Sequence, residues 1–463
     1  MRERKREGVP AIDHRASFTR EIGIFDATMI VVSGVIGGGI FFTPAVVAQR
    51  LPDPRLILTV WVVGACIAWA GALTFSELAV RFPRAGGHYV YIREAFGSLP
   101  AFLYGWMVLL IIATGALASL ALAFAGYLAA FVPLSPLAQK LVSMLMIVLL
   151  SGINVFGLKP GTRTTTVLTI IKIAAFAAMI GLGLLAEPRI APVVAPALET
   201  GSLSLALGAA LVPVLFSYGG WQHLNFMAEE VRSPEKRIPR ALALGVAVVA
   251  LVYVGGNIVY LRALGPSGMA ASTALARDAS VVLFGDVAGR LVTALVAVSI
   301  LAFTNVVIMA TPRVFYALAQ DGVFPRYLAE LHPRFSTPAR AIVLQGIWTL
   351  ALIAVGNIGV LVNGVVFADW IFFGLGAASI FLIRRRADAG AAPGPGVFRV
   401  PGYPWVPLFF VLAALAAVGS AIVTYPLPSL LGCLLLGVGA AIHTRQQRRA
   451  RVAAIEPEIV SHR

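Results

Sequence analysis

Charge is what this chain has least of: only 12% of its 463 residues are Asp, Glu, Lys or Arg, and 21 of these are acidic against 36 basic. A soluble globular chain carries about 25% charged residues, so this composition excludes an ordinary soluble domain. Cysteine is scarcer still. Cys66 and Cys433 both lie inside apolar runs, which suggests neither a disulfide framework nor a thiolate metal site. The histidines are His14, His88, His223, His332, His443 and His462, scattered along the chain. With no clustered nucleophile, metal-ligand set or acid/base pair, the expectation is not an enzyme, and no metal or cofactor is expected. The first 21 residues form a mixed-charge polar stretch without a short apolar core and cleavage site behind it. They are expected to be a cytoplasmic tail rather than a removable signal peptide.

What is abundant is apolar length. Hydrophobic residues make up 59% of the chain and mean hydropathy is +0.89, which places it among multi-span membrane proteins. Twelve apolar segments approach or exceed the roughly 20 residues that a helix needs to cross a bilayer. They run from 22 to 48, 56 to 81, 97 to 131, 135 to 156, 161 to 186, 202 to 230, 237 to 264, 284 to 320, 338 to 355, 357 to 384, 405 to 425 and 428 to 445. The fold class expected is therefore all-α integral membrane with twelve transmembrane helices. The third and eighth segments exceed a straight crossing and imply tilt or an extension beyond the membrane.

Twelve spans put both termini on one side. With the N-terminus inside, 28 Lys and Arg fall on the cytoplasmic side and 7 on the other, and Lys172 lies within a span. This is a positive-inside distribution, with the N- and C-termini cytoplasmic and the cell (inner) membrane as the expected location. Spread over every cytoplasmic loop, the basic excess marks topology and membrane lipid, not nucleic acid. Arg384 to Arg386 read as a stop-transfer flank.

Val31 to Pro44, VVSGVIGGGIFFTP, places Gly37, Gly38 and Gly39 in the middle of span one. Each Gly costs a helix interior about 1 kcal/mol relative to Ala. In hydrocarbon, backbone groups freed by a break need other partners. Two readings stand: close helix packing, or a break lining a cavity whose free N–H groups receive a small anion. Span six carries a second interruption, Phe216-Ser217-Tyr218-Gly219-Gly220-Trp221. Gly37 comes 15 residues after the start of span one and Ser217 15 residues after the start of span six, and the two spans enter from opposite sides. Paired interruptions at matching positions of inverted halves point to a transporter site near the bilayer midplane.

With these residues in view, the chain resembles the amino acid permeases of the amino acid-polyamine-organocation (APC) superfamily, and is most similar to the L-type (LAT-like) and prokaryotic APC permeases. The resemblance runs from Ile22 to about Arg449. Its most specific parts are IGGGIFFTP (36 to 44), FPRAGGHYVYIREAFG (82 to 97), FSYGGWQHLNFMAEEVRSPEKRIPRAL (216 to 242) and PRVFYALAQDGVFPRYLAELHPRFSTP (312 to 338). It implies a LeuT-type fold of two inverted five-helix repeats plus two C-terminal helices, with helices 1 and 6 broken. The divisions expected are a tail at 1–21, a first repeat at 22–200, a second at 201–386, two helices at 387–445 and a cytoplasmic tail at 446–463.

The resemblance also assigns the site. An α-carboxylate would sit on the Gly37-Gly38-Gly39 backbone, and an α-amino group would meet carbonyls near Val35 and Ile36 in span one and near Phe216 and Ser217 in span six. Phe216 matches the family's aromatic gate, the alternative being a core aromatic. Many relatives have Ser at the position of Gly38. The site edge is expected to include Gly219, Gly220, Trp221, Gln222 and Asn225.

Lys172 lies near the middle of its span, where an unpaired charge is costly. By resemblance to sodium-independent LAT-like members, its ammonium would stand where sodium-coupled relatives hold a sodium ion, bonding to helices one and eight. Sodium independence follows. Asn305 in span eight could contact Lys172 or substrate, or make a plain interhelical hydrogen bond. Span three holds no Asp or Glu, which weakens proton symport and leaves Asp26, Asp369 and Lys172 as titratable candidates. Asp369 is either a coupling group or an interfacial or paired acid. Glu77, Glu229 and Glu230 fall at cytoplasmic span ends and read as loop-pairing charges.

The function expected is a secondary transporter of L-amino acids, neutral ones favoured, working by alternating access through sodium-independent exchange or facilitated diffusion. The alternatives are proton-coupled symport, a cationic amino acid or polyamine antiporter, and a nutrient sensor on a transporter fold. The third-to-fourth loop, Phe131 to Lys140, holds no Cys, so no disulfide-linked heavy chain is expected.

Overall fold

Apolar stretches punctuated by Pro, Gly and charged turns fold as helices along the whole described chain of this computed structural model, which covers residues 18–187, 203–355, 358–388, 398–424 and 426–461. In order, α1 (Ile24–Val35) and α2 (Gly39–Ala48) precede α3 (Pro54–Arg81) and the short α4 (His88–Phe96). Next come α5 (Ser98–Met107), a π-helical turn (Val108–Ile112), α6 (Ala113–Leu128), α7 (Pro136–Val155) and α8 (Leu158–Leu185). Then follow α9 (Leu203–Ser217), the single turn α10 (His223–Phe226), α11 (Pro234–Ala271) and α12 (Leu275–Phe284). The chain closes with α13 (Asp286–Ala310), α14 (Pro312–Gln320), α15 (Ala339–Val355), α16 (Ile358–Asp388), α17 (Trp405–Thr424) and α18 (Pro426–Ser461).

Eight of these helical stretches are long and apolar enough to cross a membrane, and α1 with α2, bent by 41° at their junction, makes a ninth. α9 and α15 are apolar but shorter. The protein is thus a multi-pass membrane protein. Its outer surface agrees: Leu137, Leu141, Leu145 and Leu149 of α7 recur every four residues and are all exposed, a stripe on one helix face that lipid covers. The third segment holds α5, the π-helical turn and α6, and the eighth holds α13 and α14, which meet at Thr311 and Pro312. The expected repeat boundary at 200/201 lies outside the described residues. α16 and α18 run past the expected boundaries at 386 and 445.

One set of helix ends is tied by polar contacts. Ile22 N–H donates to Glu230 O and Arg232 N–H to Ile22 O, both at 3.0 Å, joining the entry of α1 to the segment after α10. The buried Glu230 carboxylate accepts from Arg313 at 2.8 and 3.0 Å, and Phe18 lies under the Arg313 guanidinium. Glu229 accepts from the Ala85 N–H, and Glu77 pairs with Arg81 and Arg384 while accepting from the Val400 N–H. These acids therefore join loops and helix ends.

Candidate functional site

At both glycine clusters the helical stretches end, and the two ends lie against each other, Gly34 beside Gly220 and Gly39 beside Ser217. α1 ends at Val35 and α2 begins at Gly39. α9 ends at Ser217, and only one turn, α10, follows the Gly219-Gly220 segment. Each gap stands near a helix proline, Pro44 in α2 and Pro213 in α9. Proline at 213 frees the carbonyl of Ala209 from its helical partner, and Arg50 donates to that carbonyl. Glycine is needed where the gaps touch. Gly220 has φ +114° and a Cβ there would collide with the Gly34 carbonyl, while a Cβ on Gly39 would stand 2.6 Å from Ser217 Oγ.

The polar groups released by the first gap divide into two sets. The Val35 carbonyl accepts from Gly37 N–H at 2.8 Å and from the Tyr253 hydroxyl at 3.0 Å. The Ile36 carbonyl accepts from Lys172 Nζ at 2.7 Å and Ser299 Oγ at 3.0 Å, and Ser299 also reaches the Gly37 carbonyl at 2.9 Å. A carbonyl has two lone pairs, and those of Val35 and Ile36 are both engaged within the protein. The Gly37 N–H is likewise occupied, so the N–H groups without a backbone acceptor among the described residues are those of Gly38, Gly39 and Ile40. They open α2, where the helix dipole favours an anion.

Tyr253 of α11 joins the two gaps, its hydroxyl lying 3.0 Å from both the Val35 and the Ser217 carbonyls. Lys172 of α8 is fully buried, and its contacts are Ile36 O, Ser33 O at 3.4 Å and Ser33 Oγ at 3.3 Å, all on the first span. Its link to α13 is indirect, through the Ile36 carbonyl shared with Ser299. Asn305 is elsewhere: its amide donates to Gly161 O and Thr165 Oγ1 and accepts from Asn154. These bonds crosslink α13 to α7 and α8 and engage both its donors and its oxygen.

Between the gaps lies a cavity of about 430 Å³. Val35, Gly37, Gly38, Gly39, Phe216, Ser217, Gly219, Gly220, Gln222 and Asp369 all line it; Ile36, Lys172 and Asn305 stand behind its wall. Gln222 folds back to accept from Gly220 N–H at 2.7 Å, and His223 also lines the cavity with Nδ1 2.6 Å from Gly220 O. Trp221 and Asn225 are buried outside the lining, Asn225 donating to Phe75 O. The lining aromatics Phe226 and Phe373 are backed by His88, which stacks on Phe75. Burial, with His223 adding to it, pulls the His88 imidazole down to about 3, so this ring is neutral. Phe216 is 42% exposed despite sitting in the centre of the bundle, because its ring borders the cavity. A second cavity of about 690 Å³ adjoins the first at Phe42 and Ala123, and is lined by Tyr127, Phe131, Arg277 and Arg290.

Residues 22–434 match a family model described as "Amino acid permease". The chain belongs to this amino acid permease family, within the APC superfamily. The permease is 28% identical over 433 residues to the serine/threonine exchanger SteT of Bacillus subtilis, covering 93% of this chain and 97% of that one. It is 30% identical to the cystine/glutamate transporter of Homo sapiens over 93% of this chain and 86% of that protein. It is 32% identical to the large neutral amino acids transporter small subunit 2 of Mus musculus, over 79% and 71% respectively. The family and these relatives are transporters, and the permease is an amino acid transporter.

The permease's site contains two groups that sequence reasoning missed, Tyr253 and Ser299. Their one visible signal was a hydroxyl within an apolar span, a feature shared by many packing residues. What the arrangement can do chemically is present unpaired N–H groups to a carboxylate at one wall while a carboxylate, Asp369, stands at another.

Proposed function

We propose that the permease exchanges L-amino acids across the cell membrane by alternating access, without sodium. The observation that carries this reading is the pair of facing gaps on one cavity. The N–H groups of Gly38, Gly39 and Ile40 receive the substrate carboxylate, and the carbonyls of Phe216 and Ser217, which accept from the Gly219 N–H and the Tyr253 hydroxyl, each keep a lone pair for its ammonium. Lys172 holds the Ile36 carbonyl, a position where a fixed ammonium does the work of a bound cation and makes sodium unnecessary. Phe216 closes over the bound molecule. The lining is largely apolar, which favours neutral side chains.

In this reading the chain forms twelve spans of the LeuT type, an inverted pair of five-helix repeats followed by α17 and α18, with both termini cytoplasmic. The contiguity of the two cavities on the Arg277 and Arg290 side, against the Glu230–Arg313 ties at the other, supports an outward-facing arrangement. The permease has no enzymatic step. It works without a disulfide-linked partner, since Cys66 and Cys433 lie in apolar helices.

Reconstitution in liposomes tests this. Uptake of labelled neutral amino acid is measured with and without internal amino acid, sodium and a pH gradient. Exchange predicts uptake that requires internal substrate and ignores both ions. Uptake into empty vesicles without a gradient would mean facilitated diffusion, and accumulation driven by the pH gradient would replace exchange with proton symport.

A further inference from the structure

Asp369 is the one formally charged side chain among the residues lining the central cavity. It is the twelfth of the 31 residues of α16, deep within the span, and an aspartate side chain is far too short to reach either surface from there. It is only partly buried, its exposure being to the cavity. Among the described residues no Lys or Arg lies within salt-bridge distance of it: Lys172 is turned to α1, and Arg384 and Arg386, further along the same helix, hold Glu77 and the carbonyls of Glu94 and Ala95. Tyr104, Trp370 and Phe373 line the same cavity.

An ionisable group at membrane depth stands where something pairs with it. The other acids of the chain's interior have their partners in the protein: Glu77 has Arg81 and Arg384, and Glu230 has Arg313. Asp369 is open to the substrate cavity instead, so its partner is supplied from that space. Aromatic rings lining the same cavity as a carboxylate suit a cation doubly, since the ring quadrupoles and the carboxylate attract the same charge. In the proposed exchange the carboxylate of a substrate is drawn to the start of α2 and its α-ammonium to the Phe216 and Ser217 carbonyls, so the group left to meet Asp369 is the side chain.

We propose that Asp369 is a specificity-determining residue that admits amino acids with a cationic side chain, of the lysine, ornithine or arginine class, to the same site that takes neutral ones. This rests on the site being the amino acid site of the proposed exchange. The Asp369 carboxylate accepts charge-assisted hydrogen bonds from the side-chain ammonium or guanidinium, in the cavity that Tyr104, Trp370 and Phe373 also line.

The test is exchange in proteoliposomes, comparing lysine with norleucine, which has the same carbon chain without the ε-ammonium. The wild-type permease exchanges both. Asp369→Asn lowers the lysine-to-norleucine ratio by about 10- to 100-fold, the range set by a hydrogen bond to a charged group, and Asp369→Glu restores most of it. Exchange of norleucine but not lysine by the wild type would overturn the proposal and leave the exchange reading intact, whereas exchange of no amino acid would sink that reading itself. An unchanged ratio in Asp369→Asn would also overturn it. Should Asp369→Asn carry neither, the wild type decides through carbodiimide labelling of Asp369, read by mass spectrometry. Lysine protects the carboxyl and norleucine does not; equal protection by the two would reject the proposal.

Discussion

Replacing Tyr253 by Phe removes one oxygen atom from the point where the two helix gaps meet. The ring stays in place: it packs edge-on against Trp61 at 5.4 Å and against Tyr218 at 4.9 Å, contacts a phenylalanine keeps. What is lost is the hydroxyl 3.0 Å from both the Val35 and Ser217 carbonyls, in a fully buried position. Val35 O retains the Gly37 N–H, but Ser217 O, at the end of α9, is left without a replacement donor among the described residues. A buried acceptor stripped of its partner costs about 1–3 kcal/mol. That disfavours the arrangement of the two gaps by about 5- to 150-fold. Substrate affinity should fall by a factor in that range, read as the concentration for half-maximal exchange in proteoliposomes, while the thermal midpoint without substrate drops by a few degrees at most. Half-saturation within twofold of the wild type, in a protein of unchanged stability, would refute the claim that Tyr253 couples the gaps.

Three further substitutions probe separate parts of the account. Lys172→Met keeps the length of the side chain but withdraws a charged donor from the Ile36 carbonyl, so exchange should fall by about 10- to 100-fold, and wild-type exchange should be the same in sodium as in choline medium. Gly39→Ala places a Cβ 2.6 Å from Ser217 Oγ and 3.0 Å from Ser217 Cα, forcing backbone at the second gap to move; initial rates of exchange should fall at least about tenfold. Glu230→Gln breaks a buried ion pair with Arg313, a change that costs about 3–5 kcal/mol, and the thermal unfolding midpoint in detergent should fall by several degrees.

The parts of this site written into local sequence were readable there. Three glycines in an apolar span, and a second glycine-containing cluster, Phe216 to Trp221, at a matching depth in another, point to interruptions once the two are taken as a pair. Lys172 stood out by its depth in an apolar span, while the role expected of it came from the resemblance. The contacts that fill the gaps were not, because they join residues far apart in the chain: Tyr253 and Val35 are separated by 218 positions, Ser299 and Ile36 by 263. A tyrosine or serine in a span looks the same whether it packs or holds a carbonyl. The same ignorance of partners made Val35 and Ile36 look like open acceptors, and made Asn305 a candidate for the site when Asn154, Gly161 and Thr165 engage it. The end of α9 at Ser217, with only a single turn after the gap, also depends on packing that no periodicity encodes.

The central claim is that backbone N–H groups at the start of α2 bind a carboxylate. It is tested most directly by the affinity of the purified permease for a neutral L-amino acid and for the carboxamide of the same compound, which is equal in size but uncharged at that end. The account predicts that the carboxamide binds at least about tenfold more weakly, the loss expected when hydrogen bonds to a charged acceptor become bonds to a neutral one. Equal affinity for the two would contradict it, and would remove the start of α2 from the binding site.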